Sequence, residues 1–148
     1  MGCGAGLAAE QIAARLSGGI ITAIDRSQPV ISKAMIRNER FIREKKAEFV
    51  LTDLTSFSRG NHRYNKIFAS NVNLFWTKKS ILSEIDTITS HLAKKGHLYL
   101  FYQPPSSNGM TRVNDAVRDN LRAHGFEVMD IVFENAVNCC CLVSRPAL

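Results

Sequence analysis

Gly2-Cys3-Gly4-Ala5-Gly6 stands at the head of the chain, and the run from Leu7 to Leu16 follows it at helical period, with Ala8, Ile12 and Leu16 on one side. Gly18-Gly19 stops that helix, and Ile20 to Ile24 reads as a short apolar strand ending at Asp25. Glycines in such a turn let the backbone bend tightly and let a ligand approach without a Cβ in the way. The helix N-terminus behind them exposes unpaired N–H groups that favour a carboxylate or phosphate. Asp25 falls near the ~20-residue offset at which an acid accepts hydrogen bonds from ribose hydroxyls. Three glycines alone also read as a turn with a cap, and an acid after a strand as a turn residue. Ser27, however, is available as the cap of the next helix and leaves Asp25 uncommitted.

Working outward, the alternation of helical and strand-like periods continues. Pro29 fits the first turn of a second helix whose apolar side is Ile31, Ala34, Met35, Phe41 and Ile42. Glu48 to Leu51 is the next strand, followed by a polar stretch, Thr52 to Asn65, with Gly60-Asn61 as a turn signal. Asp53 sits just past that strand, at the carboxyl edge where open α/β sheets bind ligands; a turn role is the competing reading. Lys66 to Ser70 is a buried strand, and Asn71 to Trp76 a loop. Ile81, Leu82, Ile85, Ile88 and Leu92 mark a third helix that Gly96 ends, and Leu98 to Phe101 is again a strand. Pro104 to Gly109 reads as a loop, because paired prolines and a glycine cannot continue a sheet. Val113, Val117 and Leu121 mark a fourth helix closed near Gly125. Phe126 to Phe133 and Val137 to Val143 are strands separated only by Glu134-Asn135-Ala136, too short for a parallel crossover, so an antiparallel hairpin is predicted.

The 148 residues are 45% hydrophobic and 22% charged, which describes one globular domain and excludes a disordered or fibrous chain. No apolar run approaches the ~18 residues of a membrane span, and Glu10 and Arg15 interrupt any signal-peptide pattern. The net charge of +6 permits an anionic partner without specifying one. Lys33, Arg37, Arg40, Arg43, Lys45 and Lys46 are read as a solvated helix face, although nucleic acid is not excluded as a partner. Cys139, Cys140 and Cys141 point alternately to opposite faces of a strand and do not converge on a zinc ion; with Cys3 they are expected to be reduced, small hydrophobes in a cytoplasmic protein. His62, His91, His97 and His124 form no metal-ligand spacing and are read as surface or strand residues.

Taken in order, these segments resemble the class I S-adenosylmethionine-dependent methyltransferases. Gly2-Cys3-Gly4-Ala5-Gly6 looks like their cofactor loop, Thr22-Ala23-Ile24-Asp25 like the strand with the ribose acid, and Thr52-Asp53-Leu54 like the adenine-contacting segment. Phe68-Ala69-Ser70-Asn71-Val72-Asn73 resembles the fourth strand and its loop, and Lys95-Gly96-His97-Leu98-Tyr99-Leu100 the approach to the fifth. The terminal hairpin is similar to the family's reversed last strand. The resemblance implies a three-layer Rossmann-like α/β fold, mostly parallel with a C-terminal antiparallel hairpin, and S-adenosylmethionine as cofactor. It implies cofactor contacts at Gly2, Gly4, Gly6, Asp25, Arg26, Asp53, Leu54 and Asn71, with Asn73, Trp76, Tyr102 and Gln103 on the substrate side. Trp76 is also read as a packing aromatic, and Tyr102 as a strand-end residue with an exposed hydroxyl. No general base is assigned. A small-molecule acceptor is favoured, because Asn71-Val72-Asn73-Leu74 lacks the Asn/Asp-Pro-Pro-aromatic pattern of amino-group methylation of bases and proteins.

Gly4-Ala5-Gly6-Leu7-Ala8-Ala9 also fits the Gly-x-Gly-x-x-Ala of nicotinamide-dinucleotide domains, an alternative that the terminal hairpin argues against. One departure from the resemblance matters. The family's first, central strand and its cap helices precede the glycine loop, and here Met1 does. Five apolar side chains at ~1.5–3 kcal/mol each make that strand worth about 8–15 kcal/mol, comparable with a domain's net stability of ~5–15 kcal/mol. The expectation is therefore an N-terminally truncated methyltransferase-like domain that binds cofactor weakly and is doubtfully active, or a strand-exchanged homodimer or a non-catalytic remnant.

Overall fold

The computed structural model describes residues 1–103, 107–134 and 139–147, apart from the side chains of residues 107 and 108. The chain forms two compact units, Met1–Phe57 and Ser58–Leu148, each with its own sheet.

The first unit runs α1 (Leu7–Ala13), β1 (Ile21–Asp25), α2 (Gln28–Arg37), α3 (Glu39–Arg43) and β2 (Ala47–Leu51). β1 and β2 pair in parallel, Ile21 opposite Ala47 through Asp25 opposite Leu51, so both end at one edge. Helix α1 stops three residues short of the predicted end. Its fully buried positions are Ala9 and Ala13, while Ala8, Ile12 and Leu16 are half-buried. Pro29 lies in the first turn of α2 as predicted, but Ser27 makes no side-chain cap bond from the N-cap position. Ile31 and Ala34 bury that helix; Met35, expected beside them, is exposed. The single predicted helix divides at Asn38, whose side chain bonds to backbone carbonyls and competes with continuation of the helix. Phe41 and Ile42 are half-buried on the short α3.

The second unit runs β3 (Tyr64–Ser70), α4 (Leu74–Thr77), α5 (Leu82–His91), β4 (Leu92–Tyr102), α6 (Ser107–Ala123), β5 (Phe126–Glu134) and β6 (Cys139–Pro146). Its strand order is β3-β4-β6-β5, with β3 parallel to β4 and the other pairs antiparallel. The α/β class, the parallel pairs and the antiparallel hairpin are thus as expected. Among the described residues no strand lies ahead of α1, and β1 and β3 each end their own sheet. On β4, Leu98, Leu100 and Tyr102 alternate into the core opposite Ser144, Leu142 and Cys140, with Val117 and Leu121 of α6 also buried.

Three local expectations are corrected. Asn71 to Trp76 is not all loop, because Leu74–Thr77 forms a helical turn that buries Phe75. The third helix does not reach Gly96: it ends at His91, and Gly96 lies within β4, in an irregularity between the pairs Tyr64–Leu92 and Lys66–His97. Residues 107–109, expected in a loop, begin α6. Pro104-Pro105-Ser106 and residues 135–138 of the hairpin lie outside the described residues. No helix among those described is long and apolar enough to cross a membrane.

Candidate functional site

At the carboxyl edge of β1 the glycine turn folds back onto the strand. Cys3 N–H donates to the Ile24 carbonyl at 3.0 Å, and Gly4 N–H to Asp25 Oδ2 at 3.2 Å. Ser27 N–H donates to Asp25 Oδ1 at 3.1 Å, so both carboxylate oxygens are oriented by main-chain amides. The glycine turn and the acid that ends β1 are therefore in direct contact. Gly2, Gly4 and Gly6 have φ of 60°, 53° and 80°, the left-handed region that glycine enters without cost. Space beside Gly4 is open, whereas a Cβ on Gly6 would fall 2.5 Å from Asn38 Nδ2. Burial, with the Asp25 carboxylate adding to it, pushes the Cys3 thiol up, which keeps it neutral and a poor nucleophile. Arg26 is exposed beside this edge.

Asp53 shares the edge through Thr52, whose N–H donates to the Asp25 carbonyl at 3.0 Å. Its headgroup is committed locally. Thr55 Oγ1 donates at 2.7 Å and Ser56 N–H at 2.8 Å to Oδ1, and Ser56 Oγ donates to Oδ2 at 3.0 Å. Led by the Thr55 hydroxyl, these donors hold the Asp53 carboxyl down at about 2. Asp53 is a turn cap in this conformation, the competing reading of its position, and Leu54 beside it is half-buried.

The second unit gathers the remaining candidates at the carboxyl ends of β3 and β4. Asn71, at φ 53°, donates its N–H to the Phe101 carbonyl and accepts Gln103 N–H on Oδ1, both at 2.9 Å. This ties the two strand ends together and leaves Asn73 and Gln103 exposed. Trp76 meets Tyr102 edge to face, ring centroids 5.0 Å apart. The expected exposed hydroxyl of Tyr102 is absent: the residue is 3% exposed and its oxygen is buried without a partner among the described residues. Burial drives that phenol well above its usual range, so it remains a neutral donor.

Two positions escaped the sequence reading. His91, read as a surface or strand residue, is buried on α5. Its Nδ1–H donates to the Thr87 carbonyl at 2.8 Å, and its Nε2 accepts Arg59 N–H at 3.2 Å, a tether for the polar loop. Asn38 is fully buried against Gly6. No spacing rule marks either one, since each acts on backbone distant in sequence. The basic helix face is solvated and partly neutralised, with Arg37 paired to Glu10 and both Arg40 and Lys46 to Glu44. All four cysteines are free thiols, Cys140 buried between the half-buried Cys139 and Cys141, and burial pushes Cys141 up to about 11. Among the described residues no group of acids, histidines and cysteines is arranged to hold a metal ion.

A family model described as a methyltransferase domain matches residues 1–96. No curated protein sequence matches the chain significantly. Solved structures share its fold. An S-adenosylmethionine-dependent methyltransferase from Clostridium acetobutylicum superposes with a TM-score of 0.75 at 11% identity, covering 99% of this chain and 82% of that one. Magnesium protoporphyrin IX methyltransferase from Synechocystis, solved with S-adenosylhomocysteine bound, gives 0.71 at 16% identity over 99% and 71%. The cyclase SpnF gives 0.78 at 16% identity over 99% and 74%, so the fold by itself does not fix the reaction.

Proposed function

Because the chain belongs to the methyltransferase-domain family, we propose that it uses S-adenosylmethionine to methylate a small-molecule acceptor. The observation that carries this reading is the 3.2 Å bond from Gly4 N–H to Asp25 Oδ2, which joins the glycine turn to an acid at a strand end. The donor set fits the cofactor: a half-buried carboxylate for ribose hydroxyls, glycine amides beside it, and open space at Gly4. Arg26 and Leu54 flank that edge, and Asp53 serves the purine once its turn releases an oxygen. When bound, the sulfonium supplies an activated methyl group and a neutral thioether leaving group.

The chain's own work is placement. An in-line displacement that relieves positive charge needs the acceptor close and aligned, and orientation supplies much of the rate without a dedicated base. Asn71, Asn73 and Gln103 offer polar contacts at one strand edge, and Trp76 an aromatic surface. Support for a small acceptor comes from the relative named for magnesium protoporphyrin IX and from the Asn71-Val72-Asn73-Leu74 loop.

A thermal-shift panel tests the reading. A dissociation constant of ~0.1 mM for S-adenosylhomocysteine at about 1 mM ligand corresponds to about 1.4 kcal/mol. That raises Tm by roughly 2–6 °C in a chain of this size. The D25A variant should lose the shift. A response to nicotinamide dinucleotides and none to S-adenosylhomocysteine would overturn the proposal.

A further inference from the structure

Asn38 is fully buried where α2 meets α3, 32 residues along the chain from the glycine turn. Its Nδ2 donates to the Gly6 carbonyl at 3.1 Å and to the Ala34 carbonyl at 2.9 Å. Two carbonyl partners fix the amide's orientation, because only its nitrogen donates. On the other side Oδ1 is buried and has no partner among the described residues, which costs free energy that an apolar side chain of the same size would not incur. What the amide contributes at this position is the forked donor.

That donor acts on the turn itself. The Gly6 carbonyl also accepts Glu10 N–H at 2.9 Å, so it is at once the first acceptor of α1 and the anchor for Asn38. In a planar trans peptide the carbonyl and the following N–H point in opposite directions. Fixing the Gly6 carbonyl therefore also fixes the direction of the Leu7 N–H. The fit is close, since the missing Gly6 Cβ would lie 2.5 Å from Nδ2 and 3.0 Å from Ala34.

We propose that Asn38 is a positioning residue that holds the turn from Gly4 to Leu7 in its ligand-receiving conformation without touching the ligand. This rests on the reading of that turn as the cofactor site. Amide NMR and hydrogen exchange on the ligand-free chain test it directly. In N38A the Gly4, Gly6 and Leu7 amide signals should shift and the hydrogen-bonded Gly4 and Gly6 amides should exchange at least ~10-fold faster, while those of Ile21 to Ile24 and of β4 stay put. N38D sets a carboxylate against two carbonyls at about pH 8 and regains an O–H donor on protonation near pH 5; its turn signals should return towards wild type in acid, and those of N38A should not. If neither variant folds, the wild-type chain still decides: the Asn38 Nδ2 protons should exchange at least ~100-fold more slowly than those of exposed Asn61. Equal rates there, or wild-type turn signals in N38A, would refute the clamp. A chain that ignores S-adenosylhomocysteine while N38A still frees the turn refutes the cofactor reading and supports the clamp.

Discussion

Gly4 and Gly6 share a left-handed backbone and differ in surroundings, so alanine at each separates strain from packing. At Gly4 the added methyl meets nothing within 4 Å, and the expected cost is the ~1–2 kcal/mol of an L residue in that region. At Gly6 the same cost is joined by a methyl 2.5 Å from Asn38 Nδ2 and 3.0 Å from Ala34. Overpacking of this kind adds ~1–3 kcal/mol. Urea unfolding should therefore rank G6A about 2–5 kcal/mol and G4A about 1–2 kcal/mol below the natural chain. Equal losses would mean that Asn38 and α2 yield to the methyl, and the packing of the turn would have to be redrawn. The same contrast explains which glycine the sequence could assign: φ follows from the tightness of the turn, whereas the neighbour that makes Gly6 obligatory comes from elsewhere in the chain.

Between α4 and α5 one ion pair sets the entry to a helix. Glu84, 4% exposed, accepts from Lys78 Nζ at 2.5 Å and from Ser83 Oγ at 3.1 Å. Burial alone would raise its carboxyl, and Lys78 with the other donors outweighs that, so it titrates below its ordinary 4.5. A depressed acid contributes stability above its unfolded value and loses it as pH falls through the folded one. In K78M burial goes largely unopposed and the carboxyl moves up. Removing a half-exposed partner from a buried acid should cost about 1–2 kcal/mol at neutral pH, less than for a pair buried at both ends. The deficit should narrow as pH falls through the variant's raised value and close below the natural chain's depressed one, where both proteins carry a neutral acid. A pH-independent deficit in denaturant titrations would assign the loss to packing of the lysine stem. This region also shows where the sequence was readable. Ile85, Ile88 and Leu92 keep the three–four spacing past the true helix end, because periodicity records burial and not the switch from helical to ladder hydrogen bonds. Gly96 carries the usual sign of a helix stop, yet the strand uses it to admit Leu92 at 2.9 Å from its absent Cβ. The burial of the Tyr102 hydroxyl is illegible for a related reason: part of the predicted loop forms α4 and sets Trp76 against it. The place of Asp25 at the end of β1 beside the glycine turn is legible because a strand end, a glycine turn and an offset are all local signals.

The two sheets differ in how firmly they are held. β4 and β6 are paired on both sides, whereas β1 and β2 form a five-residue, two-stranded ladder, an arrangement of marginal stability alone. Amides of β1 and β2 should then exchange through openings less costly than global unfolding, and those of Leu98 to Leu100 and Leu142 through global unfolding only. The proposed binding of cofactor at the glycine turn would draw on this difference, because a ligand stabilises the element it contacts against its own opening. S-adenosylhomocysteine at about ten times its dissociation constant should slow exchange at Gly4, Gly6, Ile24 and Ser27 by about tenfold, the kinetic image of ~1.4 kcal/mol. Asp25 transmits that restraint, since its two oxygens bind Gly4 and Ser27 and its carbonyl receives Thr52. D25A should leave the exchange pattern of β4 and β6 intact and abolish the ligand's effect on the turn. Protection confined to β4 and β6, with the turn unchanged, would move the ligand to the second unit and away from the glycines.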